Sequence, residues 1–181
     1  HVFEYNPGSG AVGRRDNTPQ GYGLSKSKTS VWSRGQAWAM YAYPAMYRFT
    51  GHSRYVEAAV LVSDWFLAHL PPKHVPWWDF GVPDNLKKYD TSAASCAAAG
   101  LLELAQYVPE PKAEHYRRSA KAILKSLTEH FAVDPAESHA ILREAVSVFP
   151  AQHSIVYGDY YFVEALLRLI AAEDKGPQES A

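Results

Sequence analysis

The run Trp32-Ser33-Arg34-Gly35-Gln36-Ala37-Trp38-Ala39-Met40-Tyr41 is where the chain first takes on helical periodicity. Ala37, Met40, Tyr41, Met46 and Tyr47 fall roughly on one stripe, the pattern of an amphipathic helix. Pro44 should kink that helix, because it removes one backbone donor and crowds the preceding turn. Thr50-Gly51 should stop it. Arg34 and Trp38 stand four residues apart and so share a face. An indole can stack on a sugar ring while a guanidinium binds carboxylate or hydroxyl oxygens. The same pair can equally be a cation–π contact inside a helix bundle.

Downstream, the same periodicity returns. Tyr55, Ala58, Ala59, Val62, Phe66 and Leu70 predict a second helix from about Arg54 to Leu70, ended by Pro71-Pro72. An Ala-rich third helix is expected from about Thr91 to Tyr107, capped by Asp90, Thr91 or Ser92. A fourth runs to about Phe131, with Tyr116, Ala120, Ile123, Leu124 and Leu127 on its apolar face. A fifth is expected from about Asp159 to Ala172, followed by a polar tail over 173–181 that should fray. The layout is helix pair, long loop, helix pair, long loop, helix, with a spacing of about 60 to 70 residues. Long loops in a compact helical domain are usually functional, and here they could gather at one end of a ring of helices. Upstream, Asn6-Pro7-Gly8-Ser9-Gly10 is a strong turn signal inside a small β-hairpin, and residues 16–30 read as a polar loop. No other strand pattern is evident.

Composition removes several classes of function. The 181 residues are enough for one cored domain, and a formal net charge of −1 gives no electrostatic case for nucleic acid or a membrane surface. No apolar run is long enough to span a bilayer. The single cysteine, Cys96, excludes an internal disulfide and reads as a small helix-packing residue. The eight histidines form no His-Glu-x-x-His pattern, and Pro71-Pro72 separates His69 from His74, so no metal is expected. Without a phosphate-binding glycine loop or a Gly-x-Ser-x-Gly elbow, neither a nucleotide cofactor nor a serine nucleophile is expected. Asp79, Asp90 and Asp159 have aromatic or apolar neighbours and are candidates for ligand contact. Each also has a structural reading: Asp90 as a helix cap, Asp159 at a helix start, and Asp79 bonded to backbone in its own loop. The chain starts at His1 with no charged and apolar leader after it, so further chain is expected upstream.

The ordered set of motifs resembles glycoside hydrolase family 88, the unsaturated glucuronyl hydrolases. Trp32 to Tyr41 is similar to that family's hallmark run. His1-Val2-Phe3-Glu4-Tyr5-Asn6-Pro7 with Gly10, Gln20-Gly21-Tyr22, Val75-Pro76-Trp77-Trp78-Asp79-Phe80, Asp90-Thr91-Ser92-Ala93-Ala94 with Gly100 to Leu104, and Tyr157-Gly158-Asp159-Tyr160-Tyr161 with Glu164 to Leu167 follow in family order. The resemblance covers nearly the whole chain, and the ordered set is specific although each motif alone is modest. It implies an all-α fold, about half of an (α/α)6 six-hairpin toroid preceded by a small β-hairpin and loop. Residues 1–181 would then be the C-terminal part of one glycosidase domain, with the hairpin and active-site loop in 1–30, helices in 31–172 and the tail in 173–181.

The resemblance also implies an activity: hydrolysis of oligosaccharides ending in a 4,5-unsaturated glucuronic acid. It implies substrate contacts by His1, Gln20, Arg34 and Trp38. The family's two central aspartates, including the general acid/base, would lie upstream, so no catalytic residue is assigned within this chain. The chain alone is expected to be inactive, with the N-terminal half of the same protein as its partner. Pro19 stands where the family commonly has His, and the loop between Tyr22 and Trp32 is longer and carries Lys26 and Lys28 in place of acidic residues. An unsaturated rhamnogalacturonyl hydrolase and a non-catalytic carbohydrate-binding or scaffold fragment are the alternatives; Gln36-Ala37 after Arg34-Gly35 fits the glucuronyl side better.

Overall fold

The computed structural model describes residues 2–16, 30–147 and 151–174. A two-stranded antiparallel hairpin, β1 (Val2–Tyr5) and β2 (Val12–Asp16), comes first. Its turn forms as expected, because the Asn6 side-chain oxygen accepts from the backbone N–H groups of Gly8 (2.9 Å) and Ser9 (3.0 Å).

Five helices follow: α1 (Ser33–Thr50), α2 (Arg54–Ala68), α3 (Thr91–Leu104), α4 (Lys112–Phe131) and α5 (Val156–Asp174). α1 continues through Pro44 and stops at Gly51, whose φ of 69° lets its N–H reach back to the Tyr47 carbonyl at 2.8 Å. α4 buries the face its sequence predicts, including Tyr116, Ala120, Ile123, Leu124 and Leu127. Each large apolar side chain buried in this way contributes roughly 1.5–3 kcal/mol.

α3 explains the architecture. All of its residues from Thr91 to Leu104 are buried, because α1 packs on one side, α5 on the other and α4 behind. Small residues let these neighbours come close. At Gly100 the α1 backbone at Met40 is so near that a Cβ would stand 2.6 Å from the Met40 carbonyl oxygen. Contacts run in the same sense along all three helices: Arg34 meets Asp90, Met40 meets Gly100 and Arg48 meets Glu103, while Gly158 meets Ser92 and Arg168 meets Glu103. The three are therefore parallel and form an inner row, with α2 and α4 as an outer layer. This is an arc of paired helices.

Both edges of the arc are apolar. α1 turns Ser33, Ala37, Met40 and Pro44 toward the core and Trp38, Ala42, Met46 and Phe49 outward on the opposite face. α5 buries Gly158, Phe162 and Ala165 and exposes Val156, Tyr160, Val163, Leu167 and Ile170.

The long loops meet at the end where α1, α3 and α5 begin. Ser33 N–H donates to the Trp78 carbonyl (3.1 Å), and Thr91 N–H to that of Glu144 (3.3 Å). Two sequence expectations need correction here. A second strand pair exists, β3 (Ala145–Val146) with β4 (Gln152–His153), two residues per strand and too short to show an alternating pattern. α5 also starts at Val156, a little ahead of the expected Asp159, which lies in its first turn and accepts from Ile141 N–H (3.1 Å) and Leu142 N–H (2.9 Å).

Candidate functional site

Arg34 lies in the first turn of α1 and is 3% exposed. Its Nη1 donates to Asp90 Oδ2 at 3.0 Å, Ser92 Oγ at 3.1 Å and the Val146 carbonyl at 2.8 Å. Three aromatic rings surround the guanidinium: its central carbon is 4.9 Å from the Trp32 ring centre, 5.4 Å from Tyr157 and 6.0 Å from Trp38. One side chain thus ties α1 to the start of α3, to β3 and to the start of α5. The cation–π reading of the Arg34–Trp38 pair has its counterpart here, since the cation lies among aromatic rings.

Asp90 is the N-cap of α3, selected from the three candidates. Its Oδ1 accepts from Ser92 N–H (3.2 Å), Ala93 N–H (3.4 Å) and the Ser92 hydroxyl (2.6 Å). The residue has no exposed surface. Burial pushes its carboxyl above the ordinary range, with the Arg34 guanidinium the strongest opposing influence.

The other aspartates are also bound up in the loops. Buried Asp79 accepts from Val31 N–H (2.9 Å), Gly81 N–H (2.8 Å) and the Ser30 hydroxyl, holding the strand-like approach to α1. Asp159 anchors the loop before β3 to α5. Trp38 differs from all of these: it is 44% exposed, and its ring stands edge-on to Trp32 at 5.0 Å. Its indole offers an apolar surface at the mouth of the cluster.

Of the four residues expected to contact substrate, the structure brings Arg34 and Trp38 together, while His1 and Gln20 lie outside the described residues. Trp32 and Tyr157, which the sequence offers only as members of motif runs, share the arginine. Val146 enters through its backbone carbonyl, which leaves no mark in a sequence. Among the described residues, no group of three or more His, Cys, Asp or Glu side chains is placed to hold a metal ion, and no helix is long and apolar enough to cross a membrane.

An arc of parallel inner helices backed by an outer layer, with its polar and aromatic cluster among the loops at one end, is the architecture of about half of an α/α toroid. No family model matches the chain. The unsaturated glucuronyl hydrolase of Bacillus sp. (strain GL1) is 34% identical over 178 residues, covering 93% of this chain and 46% of that protein. A solved unsaturated glucuronyl hydrolase specific for heparin superposes with a TM-score of 0.85 at 31% identity, over 96% of this chain and 47% of the other. A variant of the Streptococcus agalactiae unsaturated glucuronyl hydrolase, solved in complex with dGlcA-GalNAc6S, gives a TM-score of 0.76 at 31% identity, over 93% of this chain and 45% of the other. The chain is a homologue of the unsaturated glucuronyl hydrolases, glycoside hydrolase family 88, and matches their C-terminal part. It spans a little under half the length of the curated relatives it matches.

Proposed function

We propose that this chain is the substrate-positioning part of a hydrolase that removes 4,5-unsaturated glucuronic acid from the ends of oligosaccharides. The observation that carries the reading is the exposed Trp38 indole beside the Arg34 cluster, in a chain homologous to enzymes of that name. Trp38 stacks on the unsaturated ring and Arg34 holds oxygen atoms of the uronate; the resemblance assigns substrate contact to Gln20 and His1 as well. Such contacts act by fixing geometry.

The substrate's double bond is a vinyl ether conjugated to the carboxylate. A carboxylic acid protonates C4, and water adds at C5 and returns its proton. The resulting hemiketal opens to a C5 ketone and a C1 hemiacetal, and the hemiacetal collapses to an aldehyde, releasing the remaining sugar as an alcohol. This route differs from ordinary attack at the anomeric carbon. The proton donor must stay protonated near neutral pH, which burial can achieve. The resemblance to the unsaturated glucuronyl hydrolases assigns the donor to an aspartic acid upstream of these residues; Asp79, Asp90 and Asp159, held by backbone and cation partners, are not given that role. The apolar edges formed by Ala42, Met46 and Phe49 on α1 and by Val163, Leu167 and Ile170 on α5 are where the helices of the upstream toroid segment pack.

Loss of the unsaturated uronate's ultraviolet absorbance tests the reading, using a glycosaminoglycan-derived unsaturated disaccharide. We expect turnover by the full-length gene product and none by residues 1–181 alone. Turnover by residues 1–181 would move the proton donor into this chain. Turnover of an unsaturated rhamnogalacturonyl disaccharide in place of the glucuronyl one would change the substrate class.

A further inference from the structure

We propose that Asp90 is a positioning residue for this reaction, fixing the orientation in which Arg34 meets the uronate. The inference rests on Arg34 being a substrate contact. Guanidinium is a rigid planar fork, so holding one of its nitrogens restricts the direction of the whole group. Here Nη1 is held by the Asp90 carboxylate, the Ser92 hydroxyl and the Val146 carbonyl, at 2.8–3.1 Å.

Asp90 is itself prevented from turning. Its two oxygens have separate tasks: Oδ1 takes the first N–H groups of α3 and the Ser92 hydroxyl, and Oδ2 takes Arg34. The orientation of the arginine is thereby referred to the start of α3, the most enclosed helix in the molecule. Asp90 is fully buried, whereas Arg34 keeps 3% of its surface exposed, so contact with a ligand is assigned to Arg34 and not to Asp90. Asn at this position keeps an oxygen for the cap but places an N–H₂ donor against the Arg34 donor, releasing the clamp without removing the cap.

The test is a kinetic double-mutant cycle in the full-length gene product, with an unsaturated chondroitin disaccharide as substrate and far-UV circular dichroism to confirm folding. Arg34→Ala and Asp90→Asn are each expected to lower kcat/KM by about ten-fold. The Asp90→Asn loss should fall mainly on KM, and the double variant should be no slower than Arg34→Ala alone. Asp90→Asn with unchanged kinetics would overturn the proposal. So would a double variant down by about a hundred-fold, the product of two independent effects. Arg34→Ala with unchanged kinetics would instead remove Arg34 from the site, a separate failure of the functional reading. Should Asp90→Asn not fold, Ser92→Ala decides, since it takes away the hydroxyl shared by Asp90 and Arg34 and leaves both charges. A KM increase that appears with Arg34 in place and vanishes in the Arg34→Ala background supports the proposal, and no increase overturns it.

Discussion

Gly100 on α3 rests directly on the backbone of Met40 on α1, with its missing Cβ position 2.6 Å from the Met40 carbonyl oxygen and 2.9 Å from the Tyr41 nitrogen. Backbone cannot step aside as a side chain can. Gly100→Ala therefore forces the two inner helices apart, and we expect a loss of at least about 2 kcal/mol in urea unfolding. Gly51→Ala is the comparison: nothing lies within 4 Å of its Cβ position, and only the φ of 69° opposes the change, so the cost should be about 1 kcal/mol.

Asp64 on α2 accepts from Tyr116 Oη at 2.7 Å and Lys112 Nζ at 2.6 Å, joining the two outer helices. Burial alone would raise its carboxyl, but the hydrogen bonds from Lys112 and Tyr116 outweigh this and hold it below its usual range. A carboxyl depressed on folding adds stability above its unfolded pKa, and that stability is lost as pH falls through the folded value. Thermal melts of the wild type should thus lose stability on acidification below the unfolded value of about 4, and Asp64→Asn should flatten that part of the profile. Tyr116→Phe should cost about 1 kcal/mol at neutral pH. Identical acid profiles for wild type and Asp64→Asn would show that the bonds carry no such linkage.

Trp38 is exposed where Arg34 is enclosed, so the two should separate stability from turnover. Trp38→Ala should change the unfolding free energy by less than about 0.5 kcal/mol in residues 1–181. In the full-length gene product it should lower kcat/KM by at least about ten-fold. Undiminished kcat/KM would take the indole out of the substrate site.

The α5 edge can be tested in residues 1–181 without any substrate. Val163 and Leu167 lie on the exposed stripe with Val156, which is 81% exposed. Contiguous apolar surface of this kind drives association. Sedimentation velocity should show oligomers at micromolar concentration, and Val163→Glu with Leu167→Glu should shift the chain toward monomer. A wild-type chain that stays monomeric at high concentration would count against these edges as packing surfaces.

The helices are legible because their cores repeat at helical spacing: α2 and α4 run close to their expected bounds, and Asp90 is among three candidate caps for α3. The site is legible only as far as neighbours in sequence allow. Arg34 and Trp38 share a face of α1 and can be paired from spacing. Asp90 is 56 residues from Arg34, and nothing local links them; its role as a cap is readable, and its second role as a clamp depends on α3 packing parallel to α1. Tyr157 is visible within a motif, but its ring meets Arg34 only because Gly158 lets α5 close on Ser92, where a Cβ would lie 3.2 Å away. The Ala145–Val146 strand is hidden by its brevity.

Helix α3 has neighbours on both flanks and behind, and no residue between Thr91 and Leu104 reaches solvent appreciably. Its amides can exchange with deuterium only when α1 or α5 has moved away. In native-state exchange, α3 should therefore report global unfolding, while the exposed far end of α5 exchanges through local fraying. The order of opening runs from the rims of the arc inward, so the helix start that clamps Arg34 is among the last parts of the molecule to loosen.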